Sequence, residues 1–277
     1  MALNNLLRAA IGSLPLIPRG DRLPDRTLTV DNVAIDRANV AAYASITGLR
    51  YGDTLPLTYP FVLTYPAVME LVTGFDFPFA AIGAVHIQNR ITRHRPIAVT
   101  DTVGICTHAE NLREHRRGLL VDVVSQVSVG NEPAWDQVTT FLHQQRTSLS
   151  GESKPEPPPA QKLPPPSTTL RITPRQIRRY ASIGADHNPI HTSLLGAKVF
   201  GFPRPIAHGM FSAAAVLTNI EGQLPDAVSY AVRFGKPVFL PSDLGVYIDR
   251  MEQGWDIALR DLAGGNPHLT GSVRALL

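Results

Sequence analysis

PRQIRRYASIGADHNPIH, residues 174–191, decides the fold once it is laid beside NVAAYASITG, residues 39–48. Both stretches carry YASI, at Tyr43–Ile46 and Tyr180–Ile183, within apolar residues at helical spacing. Asp36 is placed to cap the first helix. Thr173 is placed to cap the second, with Pro174 at its first position. Each run stops near a glycine, Gly48 or Gly184. Only the second is followed by ADHNPIH, which crowds an acid, two imidazoles, an amide and a proline together.

The likeness extends outward from YASI. RHRPIAVTD (Arg93–Asp101) has the same order of landmarks as FGKPVFLPSD (Phe234–Asp243): an apolar strand entrance, a proline, then an acid. Each half therefore reads as a helix, a loop, a second apolar helix and a run of short strands. The second helices are YPAVMELVTG (65–74) and GMFSAAAVLTNIEGQL (209–224). The strands are AVHIQNRI, DTVGICTHAENL, LLVDVVSQVSV and AWDQVTTFLHQQR in the first half, and VSYAVRF, LGVYIDR, WDIALRD and HLTGSVRAL in the second. A helix followed by a meander with one face to bury predicts an α+β fold, an antiparallel sheet wrapped on the helix. Between the halves, GESKPEPPPAQKLPPPS (151–167) holds seven of the chain's 24 prolines, which predicts an extended linker. The organisation expected is an N-terminal arm (1–26), a first repeat (27–150), a Pro-rich linker (151–167) and a second repeat (168–277).

Composition narrows the class. The 277 residues are 44% hydrophobic, enough for a sizeable core, and no apolar run is long enough to span a bilayer. Residues 3–18 have helical apolar spacing, but they lack a basic leader and Pro15 and Pro18 interrupt them. They read as an arm rather than a signal peptide. One cysteine, Cys106, excludes an intrachain disulfide and suits a reducing cytoplasm. A net charge of +3 is too mild to imply nucleic acid, though it suits a partner bearing phosphates.

In ADHNPIH the Asn-Pro step resists helix and forces a turn, which brings Asp186 and His191 toward one small volume. A carboxylate and an imidazole sharing a water can move protons in both directions. Further on, Gly209 of HGMF opens the apolar helix, and an unobstructed N–H there suits a carbonyl oxygen gaining charge. Acid, base and oxyanion donor together describe addition to, or elimination from, a bond conjugated with a carbonyl. His187, His191 and His208 have no recognised metal spacing and do not share a helix face, so no metal is expected; His187 and His208 read as supporting residues.

YASIGADHNPIHTSLLGAKVFGFPRPIAHGM (180–210) closely resembles the motif of MaoC-like (R)-specific enoyl-thioester hydratases and dehydratases. That resemblance implies a hotdog fold, here of the double type with two fused repeats. It also implies reversible hydration of trans-2-enoyl thioesters without metal or redox cofactor. It assigns Asp186 and His191 to the catalytic couple, Gly209 to the thioester oxygen and Asn188 to the active loop, and leaves open which member is acid and which base. Aligning the repeats at YASI sets Leu49 opposite Asp186, Tyr51 opposite Asn188 and Thr54 opposite His191, and TYPAV sets Pro66 opposite Gly209. The first repeat then lacks the chemistry. Leu57, Phe61, Val62, Leu63 and Val68 of the vacated site are expected to receive a long acyl chain, while Arg204, Arg233 and Lys236 are expected near the groove mouth for coenzyme A or acyl carrier protein phosphates. The fused repeats predict a monomeric pseudo-dimer or a homodimer. Two other readings are a hotdog thioesterase, whose carboxylate would have to be Glu221, and a non-catalytic acyl-thioester-binding subunit.

Overall fold

The computed structural model describes residues 20, 22–151 and 163–276. The part of the expected arm over 3–18 and the prolines from 155 to 159 lie outside the described residues. The first half runs β1 (Leu28–Ala34), α1 (Arg37–Thr47), α2 (Pro60–Val72), β2 (Ala84–Arg93), β3 (Thr102–His115), β4 (Gly118–Val129) and β5 (Glu132–Gln144). The second runs β6 (Thr168–Ile172), α3 (Pro174–Gly184), α4 (Pro189–Thr192), α5 (Leu194–Val199), α6 (Gly209–Ala215), two 3-10 turns (Val216–Asn219, Glu221–Gln223), β7 (Val228–Phe234), β8 (Ser242–Met251), β9 (Gly254–Asp261) and β10 (Pro267–Ala275).

Among the described residues all ten strands join one antiparallel sheet, ordered β1-β3-β4-β5-β2-β7-β10-β9-β8-β6. Read from either end, each half has the same order: first strand, third, fourth, fifth, second. The halves meet where β2 pairs with β7, from Gln88–Arg233 to Arg93–Val228. Each second strand thus covers the edge that the other would leave open. Tyr43 and Tyr180, the tyrosines of the two YASI runs, face each other with ring centroids 5.9 Å apart.

Local chemistry accounts for the helices that carry the site. In α3, Ile177, Tyr180, Ala181 and Gly184 are buried, an i, i+3, i+4, i+7 stripe, while Arg175, Arg178 and Arg179 are exposed. Thr173 caps it in a full capping box with Gln176. Asp36 caps α1 by accepting from the Ala38 and Asn39 N–H groups. α1 ends on Gly48 in the left-handed region, but α3 ends on Ala185, also left-handed at φ 56°.

Two expectations need correction. The helix over 209–224 is shorter: α6 ends at Ala215 and continues as 3-10 turns, where Val216, Thr218, Asn219 and Gly222 propagate an α-helix poorly. Its counterpart is longer, because Pro60 starts α2 five residues before Tyr65, leaving Pro66 inside the helix and exposed. Pro66 is therefore not opposite Gly209. The bridge Thr54–Ala98 corresponds to Ile206–Phe239, and the Leu55 N–H to Ile97 oxygen bond corresponds to Ala207 N–H to Val238 oxygen. That register sets Leu57 opposite Gly209. It also makes the second half about 15 residues longer between its tyrosine and its bridge, a segment that includes α4 and α5. His191 thus has no counterpart in the first half, and Thr54 matches Ile206 instead.

Candidate active site

Ala185 turns the chain out of α3, and Asp186 follows directly. The Asp186 Oδ1 accepts from the Asn188 N–H at 3.2 Å, and Asn188 caps α4 by accepting from the Ile190 N–H at 3.3 Å. Pro189 starts α4 and His191 is its third residue. His191 Nδ1 lies 2.9 Å from the Ile206 carbonyl, a pure acceptor, so Nδ1 donates and Nε2 is left as a basic lone pair. Gly209 is the first residue of α6, so its N–H has no acceptor within the helix. A Cβ on Gly209 would sit 3.0 Å from the Phe234 ring, which only glycine avoids.

His208, just before Gly209, completes the cluster. Its ring lies 3.8 Å from that of His191, and its Nε2 is 3.6 Å from the Asp186 carboxylate. Donor atoms of Asp186, His191 and His208 all fall within 4.8 Å of one another. Such a triad has metal-binding chemistry, but one nitrogen of each histidine already faces a backbone carbonyl, Ile206 for His191 and Asp186 for His208. Burial lowers His191, against the opposing pull of Asp186, and pushes His208 down to about 3. Burial raises Asp186, yet the two imidazoles, the Tyr65 hydroxyl and the Asn188 N–H outweigh it and hold the carboxyl below its ordinary value. At neutral pH the site holds one carboxylate between two neutral imidazoles.

Two further residues arrive from the first half. Tyr65 on α2 offers its hydroxyl to the Asp186 carboxylate. His86 on β2 packs edge-on against Phe234 at 4.9 Å, and burial lowers it to about 4 with the Asp186 charge opposing. The pairing of β2 with β5 slips between His86 and Gln88, and this bulge turns His86 to the inner face, as strict alternation would not. Neither residue was foreseen. Tyr65 stands in TYPAV beside Pro66, and His86 has no motif around it.

The other expected positions divide. Arg204 is exposed over the Phe239 ring, two residues before Ile206. Lys236 follows β7 and its ammonium donates to Asn266 at 2.6 Å. Arg233 does not join the cluster. Tyr230 and Val232 are buried toward the core, so alternation sends Arg233 to the opposite face, into a groove of about 810 Å³ shared with Arg90. Leu57, Phe61 and Val68 are buried in packed clusters, whereas Val62 and Leu63 are half-buried. His187 is exposed. Glu221 accepts from the Arg50 N–H at 2.7 Å in a 190 Å³ cleft lined also by Leu49 and Leu57, the counterpart of the catalytic position, so it supplies no carboxylate to the Asp186 cluster.

Comparison with known proteins agrees with this geometry. Residues 156–269 match the MaoC like domain. Over 274 residues, 99% of this chain and 98% of the relative, the chain is 67% identical to 3-hydroxyacyl-thioester dehydratase X of Mycobacterium tuberculosis. The chain belongs to the MaoC-like dehydratase family. The crystal structure of HtdX of M. tuberculosis superposes with a TM-score of 0.82 at 62% identity, covering 91% of this chain and 100% of that one. A MaoC-like dehydratase from Phytophthora capsici shares the double-hotdog fold at a TM-score of 0.72 and 18% identity, over 92% of this chain and 96% of that one.

Proposed function

We propose that this MaoC-like chain is a hydro-lyase of fatty acid metabolism, interconverting trans-2-enoyl and (R)-3-hydroxyacyl thioesters. The observation that carries the reading is the convergence of Asp186 and His191 beside the Gly209 amide at the start of α6. In the hydration direction, water held between Asp186 and His191 bonds through its oxygen to C3 while its proton passes to His191 Nε2. The π electrons move onto the thioester oxygen, where the Gly209 N–H meets the charge. The couple then carries one extra proton and delivers it to C2 through the Asp186 carboxyl, restoring its starting state. Dehydration is the reverse, and the couple titrates as a unit.

The N-terminal repeat (27–150) has no equivalent of His191, and its role is to close the sheet and to supply Tyr65 and His86. On this reading the acyl chain runs along Val62 and Leu63, and Arg204 and Lys236 meet a coenzyme A or acyl carrier protein phosphate. The fused halves fit a monomeric pseudo-dimer or a homodimer, and free Cys106 accords with a reducing cytoplasm.

Loss of the conjugated enoyl absorbance on adding the protein to enoyl coenzyme A of increasing chain length tests the reading. Asp186→Asn and His191→Ala are each expected to lower kcat by about 10²–10⁴. Thiol release without hydration would replace this function with thioester cleavage. Preference for chains of about four carbons would reject the placement along α2.

A further inference from the structure

We propose that His208 is a positioning residue that holds both members of the catalytic couple, acting as the neutral tautomer protonated on Nε2. This inference rests on the reading of Asp186 and His191 as that couple. His208 touches each of them. Its Nε2 is 3.1 Å from the Asp186 backbone carbonyl, and its ring lies over that of His191 at 3.8 Å and 30°. A carbonyl only accepts, so the proton sits on Nε2. Nδ1 is buried without a hydrogen-bond partner among the described residues, a position that a lone pair tolerates better than an N–H.

The contact to Asp186 bears on a conformation that needs holding. Ala185, the residue before, sits at φ 56°, a region that an alanine rarely occupies without external restraint. The His208 N–H grips the peptide just beyond it. Without that grip the turn is free to relax, and the Asp186 carboxylate swings away from His191. The contact to His191 needs neutrality, because a cation stacked on that ring would oppose proton uptake by it. Burial keeps His208 uncharged throughout the range in which the couple works, and the Tyr180 ring backs it at 5.2 Å.

The test compares His208→Phe, which keeps a ring and loses the donor, with His208→Gln, which keeps an N–H of similar reach. On an enoyl thioester that the wild type hydrates, His208→Phe is expected to lose about 30- to 100-fold in kcat with KM within about 2-fold, the signature of misplaced groups. His208→Gln is expected to recover to within about 5-fold, with both limbs of the pH profile retained. Undiminished kcat in His208→Phe beside an inert Asp186→Asn would overturn the positioning role alone. Loss of a pH limb in His208→Gln would also overturn it, making His208 a proton carrier. Should His208→Phe not fold, 1H–15N correlation spectra of the wild-type chain decide the matter. Protonated Nε2 and bare Nδ1 from pH 5 to 8 are expected, and an imidazolium or an Nδ1–H form overturns the proposal. A wild type inert on every enoyl thioester, with that tautomer observed, would remove the proposed function and leave the hold on Asp186 standing.

Discussion

Asp186 is half-buried and ionised together, and this combination depends on a few donors. One comes from the other half of the chain: the Tyr65 hydroxyl. In Tyr65→Phe the carboxylate loses a donor and its pKa rises, so the acid limb of the kcat/KM profile is expected to move to higher pH, with kcat down about 10-fold; a pH–rate series on the two proteins measures both. An acid limb that stays in place would dissociate Tyr65 from Asp186. Gly209 makes a second prediction. A methyl group there would press on the Phe234 ring at 3.0 Å and displace the N–H from the oxyanion position. Gly209→Ala is expected to lower kcat by about 10²-fold while the folded state persists, as read by steady-state kinetics and circular dichroism. The nearness of Asp186, Asn188, His191 and Gly209 was legible because all four lie within the one stretch 180–210. Tyr65 and His86 were not, because a residue's side of a sheet or helix says nothing about which distant loop folds over it.

Elements were legible where their causes are local. Both helix caps, the proline at the start of α3 and the alternation in β7 all follow from neighbours a few residues away. Replacing the cap in Thr173→Ala is expected to cost about 1 kcal/mol in urea unfolding, because the Gln176 N–H loses its acceptor. A sharper effect belongs to Gly254, which opens β9 at φ 145°. A Cβ there would lie 2.0 Å from the Val273 carbonyl oxygen, so Gly254→Ala is expected to destabilise by more than about 3 kcal/mol in the same measurement. Gly118 opens β4 in the same way, at φ 150°. That repeated glycine is a mark of the two-fold likeness as clear as YASI, but its meaning depends on the strand beside it. The helix pairing failed for the same reason. TYPAV and AHGMF each open an apolar run, yet the sheet bridges show that Leu57 stands opposite Gly209.

At the scale of the whole molecule, one continuous sheet binds the halves, and the site draws on both. Burial of imidazoles also makes the fold sensitive to acid. His208 is held at about 3 and His86 at about 4, both below the ordinary 6.5, so between those values the unfolded chain binds protons that the folded chain does not. Stability is therefore expected to be full above pH 6.5 and to fall as the pH drops toward 4, by up to about 1.4 kcal/mol per pH unit for the buried His208. Melting temperatures taken across that range measure it, and a flat profile from pH 7 to 4 would contradict the burial of both rings.

The amino-acid sequence by itself determined the twofold organisation, the caps, most of the strands and the turn that carries Asp186 and His191. Each depends on interactions between residues close along the chain or on plain alternation of polar and apolar side chains. Only the tertiary structure decided that Pro66 faces outward, that Arg233 lies on the far side of the sheet, and that Tyr65 and His86 come from the other half toward Asp186 and Phe234. Those outcomes depend on register and on a bulge between strands, which are set by packing across the whole sheet.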